Sequence, residues 1–239
     1  IFGIAGTGVV GAAIAGYSSN NKYSLLGGIR AAGQMVSYEV TLGMSLVGCF
    51  MVYDSLLLED MVHWQMAHMW GVMAQPIAFF VFFTAAIAET KRIPFDVPEG
   101  ESEIVGGYFT EYSGMKFGMF FMGEFVEVVT SSAILITLFF GGYHMPFLNA
   151  GGWDFSFQAF GHVYLENAQI ALQHWGVTLI EVVTWVLKLS LMIWFQLMIR
   201  WSLPRFRYDQ IMALCWKVLL PLSLLNILIT GLVIIWNNS

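Results

Sequence analysis

Long apolar runs separated by short polar connections set the pattern of this chain. Runs over 1–17, 29–57, 70–89, 115–141, 174–200 and 209–236 each read as a membrane span, because crossing the hydrocarbon core takes roughly 20 apolar residues. A spanning segment must satisfy its own backbone hydrogen bonds, so each run is expected to be helical. The runs are continuous and too long for the alternating strands of a β-barrel. The pattern therefore predicts an all-α integral membrane protein, one bundle of about six transmembrane helices over 1–239. The first run opens at Ile1, already inside apolar sequence, which predicts that the chain is truncated at its N-terminus.

Composition agrees with that reading. The chain is 58% apolar and 11% charged, against about 25% charged in a typical soluble domain. Its net charge of −6 gives no basic face for a nucleic acid. The connections also alternate in sign. Segments 18–30, 90–116 and 200–208 carry Lys22, Arg30, Lys91, Arg92, Lys116, Arg200, Arg205 and Arg207, whereas 58–69, 142–173 and 237–239 carry no Lys or Arg. The positive-inside rule places the basic loops on the cytoplasmic or matrix side and the long 142–173 loop outside.

Several motifs reduce to bland readings. Gly6-Thr7-Gly8-Val9-Val10-Gly11 spells G-x-G-x-x-G, but it lies in an apolar run with Glu39 as its first downstream acid. A dinucleotide site needs a strand–turn–helix context and a closer acid, so small-residue packing between helices is the expected role. Cys49 and Cys215 lie in apolar runs without a partner motif and read as buried thiols. His63, His68, His144, His162 and His174 fall in outer loops or at helix ends, which suits no haem pair, and no metal-ligand spacing is present.

Ionisable groups within the spans resist such a reading. Glu39, Glu89, Glu124, Glu127, Glu181, Lys188 and Lys217 lie in or at the edge of spans, where a charge costs about 2.5–3.5 kcal/mol at mid-bilayer. Glu124 and Glu127 share a helix face that Thr130 and Ser131 continue. Glu181 and Lys188 lie on one side of their helix. Pro221 cannot donate to the carbonyl of Lys217, so the last helix should bend or open there. Buried ionisable groups with a distorted helix suggest a proton or ion path. The loop 90–116 adds Asp96, Glu99, Glu101, Glu103 and Glu111 among large apolar groups, which predicts a structured, partly buried acidic loop.

That loop carries a resemblance. Glu89-Thr90-Lys91-Arg92-Ile93-Pro94-Phe95-Asp96-Val97-Pro98-Glu99-Gly100-Glu101-Ser102-Glu103 resembles the signature of the quinone-site membrane subunits of respiratory complex I, known as the H subunit in bacteria and the first subunit in mitochondria. Glu111 to Phe117, Pro204 to Gln210, Ser18 to Tyr23, Arg30 to Gln34 and Ser37-Tyr38-Glu39 continue the match over nearly the whole chain. The resemblance implies family helices three to eight of eight, and a subunit of a proton-translocating NADH:quinone oxidoreductase with no independent activity. It implies a quinone tunnel at Phe117 and Phe121, with Arg92 and the acids Asp96, Glu99, Glu101 and Glu103 beneath the quinone chamber. Glu39, Glu89 and Glu124 match a carboxylate relay towards the pumping arm. Lys188, Arg200, Arg205, Arg207, Asp209 and Lys217 match positions of structural character.

Quinone is then the substrate. Flavin and iron–sulfur clusters are expected on partner subunits of the peripheral arm. Small membrane-arm subunits and lipid are further partners. The implied location is an energy-transducing membrane, the bacterial cytoplasmic or the mitochondrial inner membrane. Glu127 departs from the family pattern, and loop 142–173 matches no motif. Two other readings use the same residues: the equivalent subunit of a membrane-bound hydrogenase or a ferredoxin- or coenzyme-F-linked dehydrogenase, and a membrane anchor that only assembles other chains.

Overall fold

The computed structural model describes residues 6–97, 106–145, 148–149, 152–154, 158–159, 162–163, 169–171 and 174–238. The helices are α1 (Thr7–Ser18), α2 (Lys22–Tyr53), α3 (Leu58–Ala67), α4 (Gly71–Ala74), α5 (Pro76–Glu89), α6 (Gly114–Phe139), α7 (His174–Ser202), α8 (Tyr208–Leu214) and α9 (Leu220–Asn238). A π-helical turn, Cys215–Leu219, joins the last two into one continuous rod. The helix opens where Pro221 removes a donor, as expected from the sequence.

The long runs all form helices, with changed bounds. Four rods are long and apolar enough to cross a membrane: Lys22–Tyr53, Gly114–Phe139, Trp175–Ser202 and Tyr208–Trp236. The first and third runs give shorter helices, α1 of 12 residues and α5 of 14 residues. The run 70–89 does not form one helix. It breaks at Gln75, whose non-helical backbone precedes Pro76 at the first helical position of α5. Proline fits that position because it needs no donated hydrogen bond there. Two connections also hold elements of their own. The segment 58–69 contains α3, and α2 starts at Lys22, so Arg30 lies on a helix rather than in a loop. The segment 142–173 carries short antiparallel pairings, Leu148–Asn149 with Gly152–Asp154, the latter with Gln169–Ala171, and Gln158–Ala159 with His162–Val163.

α2 is the centre. At 32 residues it is the longest helix, about 48 Å at 1.5 Å per residue, and α1, α5 and α9 all pack on it. Its buried face is unusually small and polar, including Gly27, Gly28, Ala31, Gln34, Ser37, Thr41, Ser45 and Gly48. Small residues let backbones approach closely, the main source of helix association where lipid replaces water. A Cβ on Gly16 would sit 2.8 Å from the Ser24 carbonyl oxygen and 3.0 Å from the Gly28 Cα. One on Gly48 would sit 2.7 Å from Asn226 Nδ2. The close α1–α2 seam thus lies at Gly16, beyond the G-x-G-x-x-G motif; Gly11 of that motif has nothing within 4 Å.

Buried amides and one cation tie together the end of the bundle remote from the 90–116 loop. Gln65 of α3 donates to the carbonyls of Met61 (3.2 Å) and Thr137 (3.0 Å). Its Oε1 accepts from the backbone N–H groups of Gly71 (3.0 Å) and Gly141 (2.9 Å). At the helix break, Gln75 donates to Thr230 (2.8 Å) and accepts from Asn226 (3.0 Å). Lys188 of α7 donates to the carbonyls of Phe140 (2.8 Å), Gly142 (3.1 Å) and His144 (2.7 Å). These are carbonyls at and just past the end of α6, which has no N–H groups of its own to offer them. A cation at a helix C-terminus also complements the helix dipole. Lys188 therefore works as a helix cap.

Three outcomes test this packing. Gly16→Leu should lower the stability of the purified protein by about 1–3 kcal/mol through overpacking, whereas Gly11→Leu should change its melting temperature little. Lys188→Met should cost about 2 kcal/mol, on the scale of hydrogen bonds to charged groups, as read by thermal unfolding in detergent. The third concerns pH. Burial, then Lys188 and His63, hold the His144 imidazole below its ordinary value of 6.5. The folded state therefore binds this proton less readily than the unfolded one, and its contribution is intact above about pH 6.5 and lost as pH falls below it. A melting-temperature series should decline across that range, and His144→Gln should flatten it.

Candidate functional site

The last turns of α1 and α5 meet the first turns of α2 and α6, and two signature segments dock there. The first, 90–97, is fixed from α2. Gln34 donates from Nε2 to the carbonyls of Ala88 and Phe95, both at 2.8 Å. Phe95 and Val97 are buried, and the Phe95 ring lies 5.8 Å from both Tyr38 and Phe206. The Phe206 N–H donates to the Pro94 carbonyl at 3.1 Å, so the motif Pro204 to Gln210 rests directly on this segment. Tyr38 also donates to the Ile211 carbonyl at 2.9 Å. The second, 106–113, is fixed on the α1–α2 turn. Asn21 donates to Glu111 (2.9 Å), Ser24 to the Gly107 carbonyl (3.2 Å) and Tyr112 to the Ala15 carbonyl (3.0 Å). Gly107 lies so close to Gly27 that a Cβ on the latter would come within 2.8 Å of its Cα. Both described ends of the acidic loop are therefore anchored to the helix bundle.

Above this anchor, a cavity of about 200 Å³ opens between α1, α2, α5 and α6. Its polar lining is Glu89, Lys91, Glu127, Thr130 and Ser131, set among Met35, Leu42, Phe82 and Ile134. Glu89 lies within electrostatic reach of Glu127, Glu39 and Lys91, and Glu127 within reach of Lys91 and Arg92. Glu39 is half-buried on α2, and its carboxylate abuts Gly6. Thr130 donates to the Val126 carbonyl (2.8 Å) and Ser131 to the Val128 carbonyl (3.1 Å). Their hydroxyl oxygens are left as acceptors. Such a chamber can hold several waters, since it is polar and roomy enough for them, and it can pass a proton between carboxylates.

A second feature runs along α6. Phe117, Phe121 and Phe125 recur at every fourth residue, so they stack along one stripe. The ring centroids are 6.2 Å apart for Phe117–Phe121 and 4.9 Å for Phe121–Phe125. The three are 43%, 47% and 43% exposed, an open aromatic stripe. Arg92 ends it, with its guanidinium 4.2 Å from the centre of the Phe125 ring, a cation–π contact. Arg92 also shares a small enclosed space with Thr90, Gln196 and Arg200.

The sequence-expected residues therefore divide. Glu89, Glu39 and Glu127 gather at or beside the cavity, and Arg92, Phe117 and Phe121 gather on the stripe. Glu124 is buried on α6 but does not line the cavity. Asp96 is half-buried in the docked segment. Glu99, Glu101 and Glu103 lie outside the described residues. Lys217 is exposed on the π-helical turn, so it is no buried charge within this chain. Cys49 and Cys215 are free buried thiols, the latter bonded to Thr41 (3.2 Å). Among the described residues no group of His, Cys, Asp and Glu could hold a metal.

Two residues of the site stood out less in sequence. Lys91 reads as a loop charge, yet it lines the cavity and its ammonium lies 5.8 Å from the Tyr108 ring. Gln34 reads as part of a motif without a role, yet it holds the end of α5 against the loop. An amide four residues before Tyr38 on the buried face of a long helix is the signal that marks it.

Comparison with known proteins accords with this geometry. The family model described as NADH dehydrogenase matches residues 1–231. The NADH-quinone oxidoreductase H subunit 1 of Cytophaga hutchinsonii is 39% identical over 231 residues, which are 97% of this chain and 62% of the relative. The H subunit 2 of the same enzyme from Syntrophobacter fumaroxidans is 43% identical, over 98% of this chain and 61% of the relative. The H subunit from Thermomicrobium roseum is 40% identical, over 99% of this chain and 63% of the relative. The chain thus spans less than two thirds of the length of these relatives. The match along almost its full extent, on a bundle of apolar helices, means that the chain belongs to the NADH dehydrogenase family.

Proposed function

We propose that this chain is the quinone-site membrane subunit of a proton-translocating NADH:quinone oxidoreductase, and that it couples quinone reduction to charge movement in the membrane. The observation that carries the reading is the pairing of two features across α6. An exposed aromatic stripe ends at Arg92, and beside it lies a cavity lined by Glu89, Glu127 and Lys91.

The stripe suits a lipid-soluble, planar substrate. Phe117, Phe121 and Phe125 offer apolar faces at successive turns, and a quinone ring can slide along them from the bilayer. Arg92 offers fixed positive charge at the deep end, where reduction puts negative charge on the quinone oxygens. Taking up two electrons, the quinone also takes up two protons. Asp96, with Glu99, Glu101 and Glu103 of the same loop, is assigned to the supply side of that exchange.

The carboxylates Glu89, Glu39 and Glu124 then respond electrostatically. Charge made near Arg92 favours a proton on the nearest carboxyl oxygen, and each transfer biases the next. In a low-dielectric interior, such interactions reach farther than in water. Quinone and the other subunits of the complex are the partners. Electrons arrive from flavin and iron–sulfur centres on peripheral-arm chains. The basic connections face the cytoplasm or matrix.

In the assembled complex, Glu89→Gln should lower quinone-linked proton translocation by about tenfold or more, the scale of a lost proton-transfer group. NADH oxidation by an artificial acceptor, which monitors assembly, should persist. Asp96→Asn should likewise lower quinone reduction selectively. Equal loss of both activities would mean failed assembly. Unchanged quinone reduction and pumping in Glu89→Gln would leave the chain as an anchor alone.

A further inference from the structure

We propose that Glu127 is a working carboxylate of the cavity, forming with Glu89 a two-site proton store that has Lys91 as its common counter-ion. This deepens the relay reading above and rests on it. Glu127 lies on α6, one turn before Thr130 and Ser131, and all three line the same cavity as Glu89 and Lys91. The charged groups around the cavity can be named element by element. Among the described residues, α5 gives Glu89, the segment after it gives Lys91 and Arg92, α2 gives Glu39, and α6 gives Glu127. α1 lines the cavity only with Gly8.

Two features favour a working role over a structural one. A structural acid would close directly on its base, yet among the described residues no direct ion pair joins Lys91 to Glu89 or Glu127. The groups face one another across a cavity with room for water. The charge count also leaves something to carry. Among the described residues, three carboxylates (Glu89, Glu127 and Glu39) against two cations (Lys91 and Arg92) leave one negative charge around the chamber. A single proton, held on either carboxyl oxygen, cancels it. The hydroxyl oxygens of Thr130 and Ser131 are free to accept from water entering the cavity, which would give the proton a path between Glu89 and Glu127 that avoids apolar surface. New charge on the Arg92 side shifts its position.

The test uses the intact complex and two readouts, the pH profile of quinone reduction and the infrared difference spectrum of the reduced minus oxidised enzyme. E127Q should remove or displace a carboxylic C=O band and move one midpoint of the pH profile by about one unit. E127D should restore the profile. E89Q should alter both readouts. If E89Q alters both and E127Q matches the unsubstituted enzyme in both, Glu127 only fills space and this inference fails while the relay stands. If E89Q also changes nothing, the relay reading fails and takes this one with it. Should E127Q not assemble, E127D decides: a displaced C=O band supports the proposal and an unmoved one overturns it.

Discussion

The structure depends on how closely other backbones approach α2. Gly27 meets Gly107, Gly28 meets Gly16, and Gly48 meets the Asn226 amide, each at a distance that leaves no space for a Cβ. Lipid offers helices little hydrophobic drive to associate, so such contact, with the hydrogen bonds that it permits, must hold the bundle. The contacts are spread along one helix, from its first turns to its last. They set where α1, α5, α9 and the loop ends stand. The cavity is what remains between α1, α2, α5 and α6 once these seams are closed.

Carboxylates inside an apolar bundle are tolerable only if their surroundings are polar or wet. Here the protein supplies polar groups locally. Thr130 and Ser131 turn their hydroxyl hydrogens to their own helix, and Lys91 brings positive charge in from the segment after α5. That segment has no regular structure of its own. It is held by Gln34, whose two hydrogen bonds replace the helical pattern that stops at Glu89. A polar residue of the central helix therefore positions the cation, and the cation makes the acids sustainable. The same segment carries Arg92 to the aromatic stripe, so one anchored loop serves both features.

Much of this was legible in the sequence because the relevant signals are local. Apolar runs marked the helices, and Pro221 marked the π-helical opening. The polar face of α6 was legible at Glu127, Thr130 and Ser131, which follow helical spacing. What was not legible depends on tertiary approach. Gln75 interrupts an apolar run that reads as continuous, because the break is stabilised by Asn226 and Thr230 from a helix about 150 residues later. Lys188 reads as an ionisable group within a span, but the open carbonyls at the end of α6 claim its three donors. Glu124 shares a spacing with Glu127, yet the cavity wall passes between them, and spacing alone cannot say where a wall falls.

In the proposed function, the two faces of α6 would let one helix serve both substrate and charge. An aromatic stripe at every fourth position and an acid-and-hydroxyl face lie on different sides of the same rod. Electronic events on the stripe would then occur about one helix width, ~10 Å, from the ionisable groups. Screening by mobile ions, which in water reduces such influence to a short range, is weaker across packed apolar side chains. Coupling of this proposed kind would need no moving part. It needs only that Arg92 stay between the two faces, and the docking of 90–97 against Gln34, Tyr38 and Phe206 holds it there.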